Sequence, residues 1–117
     1  MDYDRVTFGP MNVDVLAGEM SKINCLGAQI AGSASYHAMA SGMSTVSLSC
    51  SITVDPGVSF SAFAWAAERS FITAASASVT GDAAGMQYIN DASLIKLPTS
   101  GKLPGSGGIC QNGCQIQ

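Results

Sequence analysis

Apolar and hydroxyl-bearing residues alternate most clearly from Thr45 to Ala66. Val46, Leu48, Cys50, Ile52 and Val54 take the even positions, with Thr45, Ser47, Ser49, Ser51 and Thr53 between them. A period of two predicts β-strand with one buried face. After Asp55-Pro56-Gly57 the same parity resumes in Val58, Phe60, Ala62, Ala64 and Ala66. Pro then Gly at the centre of a turn suits type II, whereas tight hairpins favour types I′ and II′. The turn therefore reads as a corner that carries the chain from one sheet to another.

Weaker alternation predicts further strands over Tyr3–Phe8, Asn12–Ala17, Ser70–Thr80, Met86–Ile89 and Ser93–Leu97. Gly9-Pro10, Gly18, Gly81-Asp82 and Asn90-Asp91 punctuate them. Between Ser21 and Met43 the apolar parity switches across Leu26-Gly27, as a β-bulge produces. Gln29 to Met43 is alanine-rich but has no apolar stripe at helical spacing, so strand is preferred to helix. Beyond Pro98 the chain turns to Gly, Ser and Pro. The expected architecture is an all-β single domain over residues 1–97, an antiparallel β-sandwich or small β-barrel of jelly-roll type. Residues 98–117 are expected to form a flexible Gly/Pro/Ser-rich tail with a CxxxC motif. An internal echo, Ser33-Ala34-Ser35 against Ser76-Ala77-Ser78, reads as chance in a chain this rich in Ala and Ser. Two copies also fall short of the three or more that a solenoid requires.

Composition narrows the function classes. Hydrophobic residues make up 47% of the 117-residue chain but aromatics only 7%, which predicts a thin core of small side chains. Charged residues are 11%, against roughly 25% in an ordinary soluble domain. The five cations, Arg5, Lys22, Arg69, Lys96 and Lys102, are scattered in a chain of net charge −3. They cannot form the basic patch that nucleic acid requires, nor a polybasic membrane signal. No continuous apolar stretch is long enough for a membrane helix. The first residues show no signal-peptide pattern, and an extracellular surface or a virion is the favoured location.

Catalytic chemistry finds little support. His37 is the only histidine and stands in no catalytic motif, so it reads as a surface or interface residue. The carboxylates fall mostly at predicted turns and ends. No enzyme activity, cofactor or metal is expected. Cys25, Cys50, Cys110 and Cys114 are disulfide candidates with three pairings open; Cys50 also fits burial as a small apolar side chain.

The remaining candidates form a surface. Ser47, Ser49, Ser51, Ser59 and Ser61 share a parity with Phe63 and Trp65, giving an uncharged hydroxyl face with aromatics at one end. From Ile23 to Val54 no Asp, Glu, Lys or Arg interrupts the chain, although free edge strands are normally protected by charge or proline. The expected function is a structural, self-assembling subunit of a virion or surface filament, whose partner is another copy of itself. The alternative is a lectin-like glycan-binding module, and a third reading is an oligomeric pore.

Overall fold

Among the described residues every strand pairing is parallel, and each strand's neighbour lies one turn away along the sequence. The computed structural model describes residues 2–3, 6–25 and 27–117, with only the backbone at Asp2 and Tyr3. Met1, Asp4, Arg5 and Leu26 lie outside the described residues, and with Leu26 so does part of the expected bulge.

The chain winds through three sheets in rotation. Sheet A holds β1 (Asp2–Tyr3), β4 (Lys22–Cys25), β7 (Thr45–Ser47), β10 (Phe71–Thr73), β13 (Leu94–Lys96) and β15 (Gln115–Ile116). Sheet B holds β2 (Val6–Phe8), β5 (Ala28–Ile30), β8 (Ser51–Val54) and β11 (Ser78–Thr80). Sheet C holds β3 (Val13–Ala17), β6 (Tyr36–Ala40), β9 (Ser59–Ala66), β12 (Ala84–Asp91) and β14 (Gly108–Gln111). The result is a parallel β-solenoid of about five turns.

This corrects the expected antiparallel β-sandwich, barrel or jelly roll. Alternation fixes which side of a strand is buried, but it says nothing about the direction of the neighbouring strand. Corners also conserve parity. Val46, Leu48, Cys50, Ile52 and Val54 are all buried, yet β7 ends at Ser47 and β8 begins at Ser51 on another sheet. A single strand from Thr45 to Val54 is thus two, joined by a bend. Asp55-Pro56-Gly57 does carry the chain between sheets, from B to C. The stretch from Gln29 to Met43 contains no helix; it is the end of β5, a turn and β6.

Inside, like stacks on like. Ile23, Val46, Ile72 and Ile95 form one column along sheet A. Ala17, Ala40 and Ala66 form another along sheet C, capped by the buried Asn90. Alanine on one wall opposite branched side chains on the others fills a narrow interior without overpacking.

The corner from sheet C to sheet A shows how the turns are kept in step. Glu19 and Met20, Gly42 and Met43, Glu68 and Arg69, then Ala92, and finally Asn112 and Gly113 all take positive φ there. Left-handed backbone is unfavourable for most side chains, and bonds between turns offset it. Met20 N–H donates to the Gly42 carbonyl at 2.8 Å and Met43 N–H to the Glu68 carbonyl at 3.0 Å. Beside them runs a serine ladder: the N–H of Ser21, Ser44 and Ser70 donates to Oγ of Ser44, Ser70 and Ser93 in turn, at 3.2, 3.1 and 3.0 Å.

The C-terminal segment is part of this architecture, which corrects the expected flexible tail. Residues 98–107 replace a fifth strand on sheet B, and Leu103 within them is buried. β14 then adds to sheet C and β15 to sheet A.

Candidate interaction face

The outer surface of sheet C carries an apolar ladder. Leu16 pairs with Met39, Met39 with Trp65, Trp65 with Ile89, and Ile89 with Ile109, one residue from each of the five strands. Leu16 is 56% exposed and Ile109 42%, while Met39, Trp65 and Ile89 are half-buried by their neighbours on the ladder. Three residues earlier a second register column reads Val13, Tyr36, Ala62 and Met86, of which Ala62 is fully buried and the other three half-buried. The only charged residues in these five strands are Asp14, whose side chain is fully buried, and Asp91 at the last position of β12.

Strand irregularity produces this face. Ser61 and Ala62 N–H both donate to the Ser35 carbonyl, and Ser35 and Tyr36 N–H both to the Asn12 carbonyl. Two donors sharing one acceptor is the signature of a bulge. From there successive residues are buried, His37 with Ala38 in one turn and Ala62, Phe63 and Ala64 in the next, before Met39 and Trp65 emerge. A register shift between Ala84 and Met86 continues the feature into β12.

The bulge sends Phe63 and Trp65, expected on one face, to different environments. Phe63 is fully buried, stacked on His37 with ring centroids 4.9 Å apart. Trp65 stands outside and stacks on Tyr36 at 5.8 Å. His37 is buried against the rings of Phe8, Phe60 and Phe63. Its Nδ1 lies 2.8 Å from Oδ2 of Asp14, while its Nε2 and the other Asp14 oxygen are buried without a hydrogen-bond partner. A histidine so enclosed cannot meet a substrate from solvent.

The hydroxyl candidates are spread around the solenoid. Ser47 belongs to sheet A, Ser49 to the A-to-B corner, Ser51 to sheet B, and Ser59 and Ser61 to the start of β9 on sheet C. Ser59 is held to Ser33, whose Oγ accepts its N–H at 3.0 Å. On sheet B the neighbours of the predicted hydroxyls come from distant sequence: Ser51 pairs with Ser78, and Thr53 with Thr80.

The cysteines pair as Cys25–Cys50 and Cys110–Cys114. The first is buried and ties two successive turns at the A-to-B corner; the second spans the last C-to-A corner, with Cys110 exposed.

Near the C-terminal end, Asp82 holds residues 98–107 in place. Its Oδ1 accepts the N–H of Gly105 at 2.8 Å and of Ala83 at 2.9 Å, and Lys102 Nζ lies 3.3 Å from Oδ2. The Gly105 bond foremost, then those of Ala83 and Lys102, hold the carboxyl below its ordinary range. A recess of about 300 Å³ opens between Val79 and Lys102. Its one anion and one cation already neutralise each other. Among the described residues no three His, Cys, Asp or Glu side chains converge as a metal site.

The ladder is not legible in the sequence because Leu16 and Met39 are flanked by apolar residues of the buried parity, Val15 and Ala17, Ala38 and Ala40, and no local pattern sets them apart. Only the register of the turns places them together. Compared with protein-family models, curated proteins and solved structures, the chain matches none.

Proposed function

We propose that this chain is a structural subunit that assembles with copies of itself, of the kind that builds a virion or a surface filament. The apolar ladder Leu16, Met39, Trp65, Ile89 and Ile109 carries this reading. Apolar surface left in water costs roughly 25 cal/mol per Å², and an apolar stripe across five strands, exposed at both ends and half-buried between them, is the kind of contiguous patch that marks an interaction site. A parallel solenoid suits the role, because its rigid walls hold such a surface without reorganisation on binding. The two disulfides fit an oxidising surroundings, as a virion or cell surface provides.

The glycan-binding alternative draws less support. Sugar rings stack on an aromatic face laid open to solvent, but Trp65 and Tyr36 are both half-buried and stacked on one another, so each has one ring face already occupied. Sedimentation tests the reading. Species larger than the 11.9 kDa monomer are expected. A monomer at every concentration from about 1 to about 500 µM, a range that covers weak as well as tight contacts, overturns it.

A further inference from the structure

We propose that the outer face of sheet C packs against the same face of a second copy, about a two-fold axis through Trp65, so that Leu16 of one protomer meets the partner's Ile109. The inference rests on the self-assembly reading and assigns it a surface and a geometry.

Three observations lead to it. First, the ladder is self-complementary. β9, which carries Trp65, is the middle strand of five. A two-fold axis at its centre superposes Leu16 on Ile109 and Met39 on Ile89, one aliphatic or thioether side chain on another. An isologous contact needs that match of a patch with itself.

Second, charge does not oppose it. Neither register column contains an ionisable carboxylate, lysine or arginine. Apposing the two columns therefore strands no ion, the event that penalises wrong pairings most heavily; Asp91, two residues beyond Ile89, lies at the rim, where it accepts a hydrogen bond from Asn112 Nδ2 at 2.6 Å.

Third, the area fits a second copy held reversibly. Five strands about 4.8 Å apart, with columns three residues apart at about 3.3 Å each, outline a footprint of at most roughly 400 Å² once side-chain width is added, to which the fully buried Ala62 contributes nothing. Two such faces bury at most about 800 Å², below the 1,200–2,000 Å² of stable complexes and within the range of transient contacts. The contact is thus a weak closed dimer. A closed dimer does not polymerise, so longer assemblies must use a further surface as well.

The experiment is a charge swap across the axis, read by sedimentation equilibrium. Leu16→Lys and Ile109→Glu act at the two most exposed rungs, where the monomer fold is least affected; circular dichroism matching wild type establishes that. Each variant alone is expected to dimerise about tenfold or more weakly, because each buries an unpaired charge. Mixed in equal amounts, they recover association, since one contact becomes an ion pair and the other stays Leu16 on the partner's Ile109. Association of the wild type that both variants leave unchanged, or a mixture no tighter than either alone, overturns the assignment of this face while self-assembly stands. A monomeric wild type removes both.

Discussion

His37 Nδ1 lies 2.8 Å from Asp14 Oδ2, and neither side chain reaches solvent. The pair joins the first turn of the solenoid to the second, since β3 and β6 are adjacent strands of sheet C. Removing one partner leaves a polar group in a box of phenylalanine rings, whereas replacing both leaves nothing unsatisfied. His37→Phe alone is expected to cost about 3–5 kcal/mol, and Asp14→Leu with His37→Phe to fall within about 1 kcal/mol of wild type. Urea unfolding of the single and double variants checks this. A double variant as unstable as the single one contradicts it.

The serine ladder makes a graded prediction. Ser70→Ala removes the acceptor for the buried Ser44 N–H, at a cost of about 1–3 kcal/mol for an unsatisfied group. Ser21 Oγ, by contrast, makes an exposed bond to the Gly18 carbonyl. Ser21→Ala is therefore expected to change stability by less than about 0.5 kcal/mol. Equal losses in thermal unfolding count against the ladder.

Gly85 takes φ +104°, and a Cβ there would overlap the Phe60 carbonyl oxygen of the turn below. Gly85→Ala is expected to destabilise the chain strongly, by more than the roughly 1 kcal/mol of an ordinary backbone preference. Gly57→Ala is the control, since its positive φ brings strain but a Cβ there meets open space. The difference between their melting temperatures reads the close approach alone.

Asp82 predicts how residues 98–107 respond to acid. Its folded-state pKa is lowered, chiefly by the Gly105 N–H. The hold is therefore complete above the unfolded value of about 3.9 and is lost as the pH falls through the lowered folded value. Hydrogen exchange at Gly105, corrected for the intrinsic rate, should accelerate on acidification in wild type. Asp82→Ala, which leaves no acceptor for the Gly105 N–H, should exchange fast already at neutral pH and show no such transition. A wild-type profile flat into strong acid contradicts the clamp.

The disulfides differ in access. Cys25 and Cys50 are 3% and 8% exposed, while Cys110 is on the surface. Thiol exchange requires attack on an accessible sulfur. Stepwise reduction with alkylation and mass analysis should therefore label Cys110 and Cys114 before Cys25 and Cys50. The reverse order contradicts the burial.

The sequence already carried the burial of Val46, Leu48, Cys50, Ile52 and Val54, because a period of two survives both strands and corners. It also carried the repeat, but thinly. Ser21-Lys22-Ile23, Ser44-Thr45-Val46, Ser70-Phe71-Ile72 and Ser93-Leu94-Ile95 share a Ser-x-(Ile/Val) pattern at intervals of 23, 26 and 23 residues. The intervals vary because turns run from 20 residues, Tyr88 to Gly108, to 27, Ser51 to Ser78. A search at one fixed offset dilutes such a signal. The offset of 43 that ties Ser33 to Ser76 joins a B-to-C corner to an A-to-B corner, which are not equivalent positions. Nor could local pattern anticipate the bulge that buries His37 and Phe63, since it interrupts the parity from which burial was read.

Trp65 gives the most direct test of the account, for it is the chain's only tryptophan and stands at the centre of the ladder. Its indole is half-exposed in the monomer, so its emission reports whether that face meets water or another protein surface. With rising protein concentration the emission maximum is predicted to move to shorter wavelength, in step with the dimer fraction from sedimentation. Leu16→Lys should displace the shift to about tenfold higher protein concentration or beyond. An emission maximum that stays constant while the protein associates contradicts the claim that sheet C is the contact face.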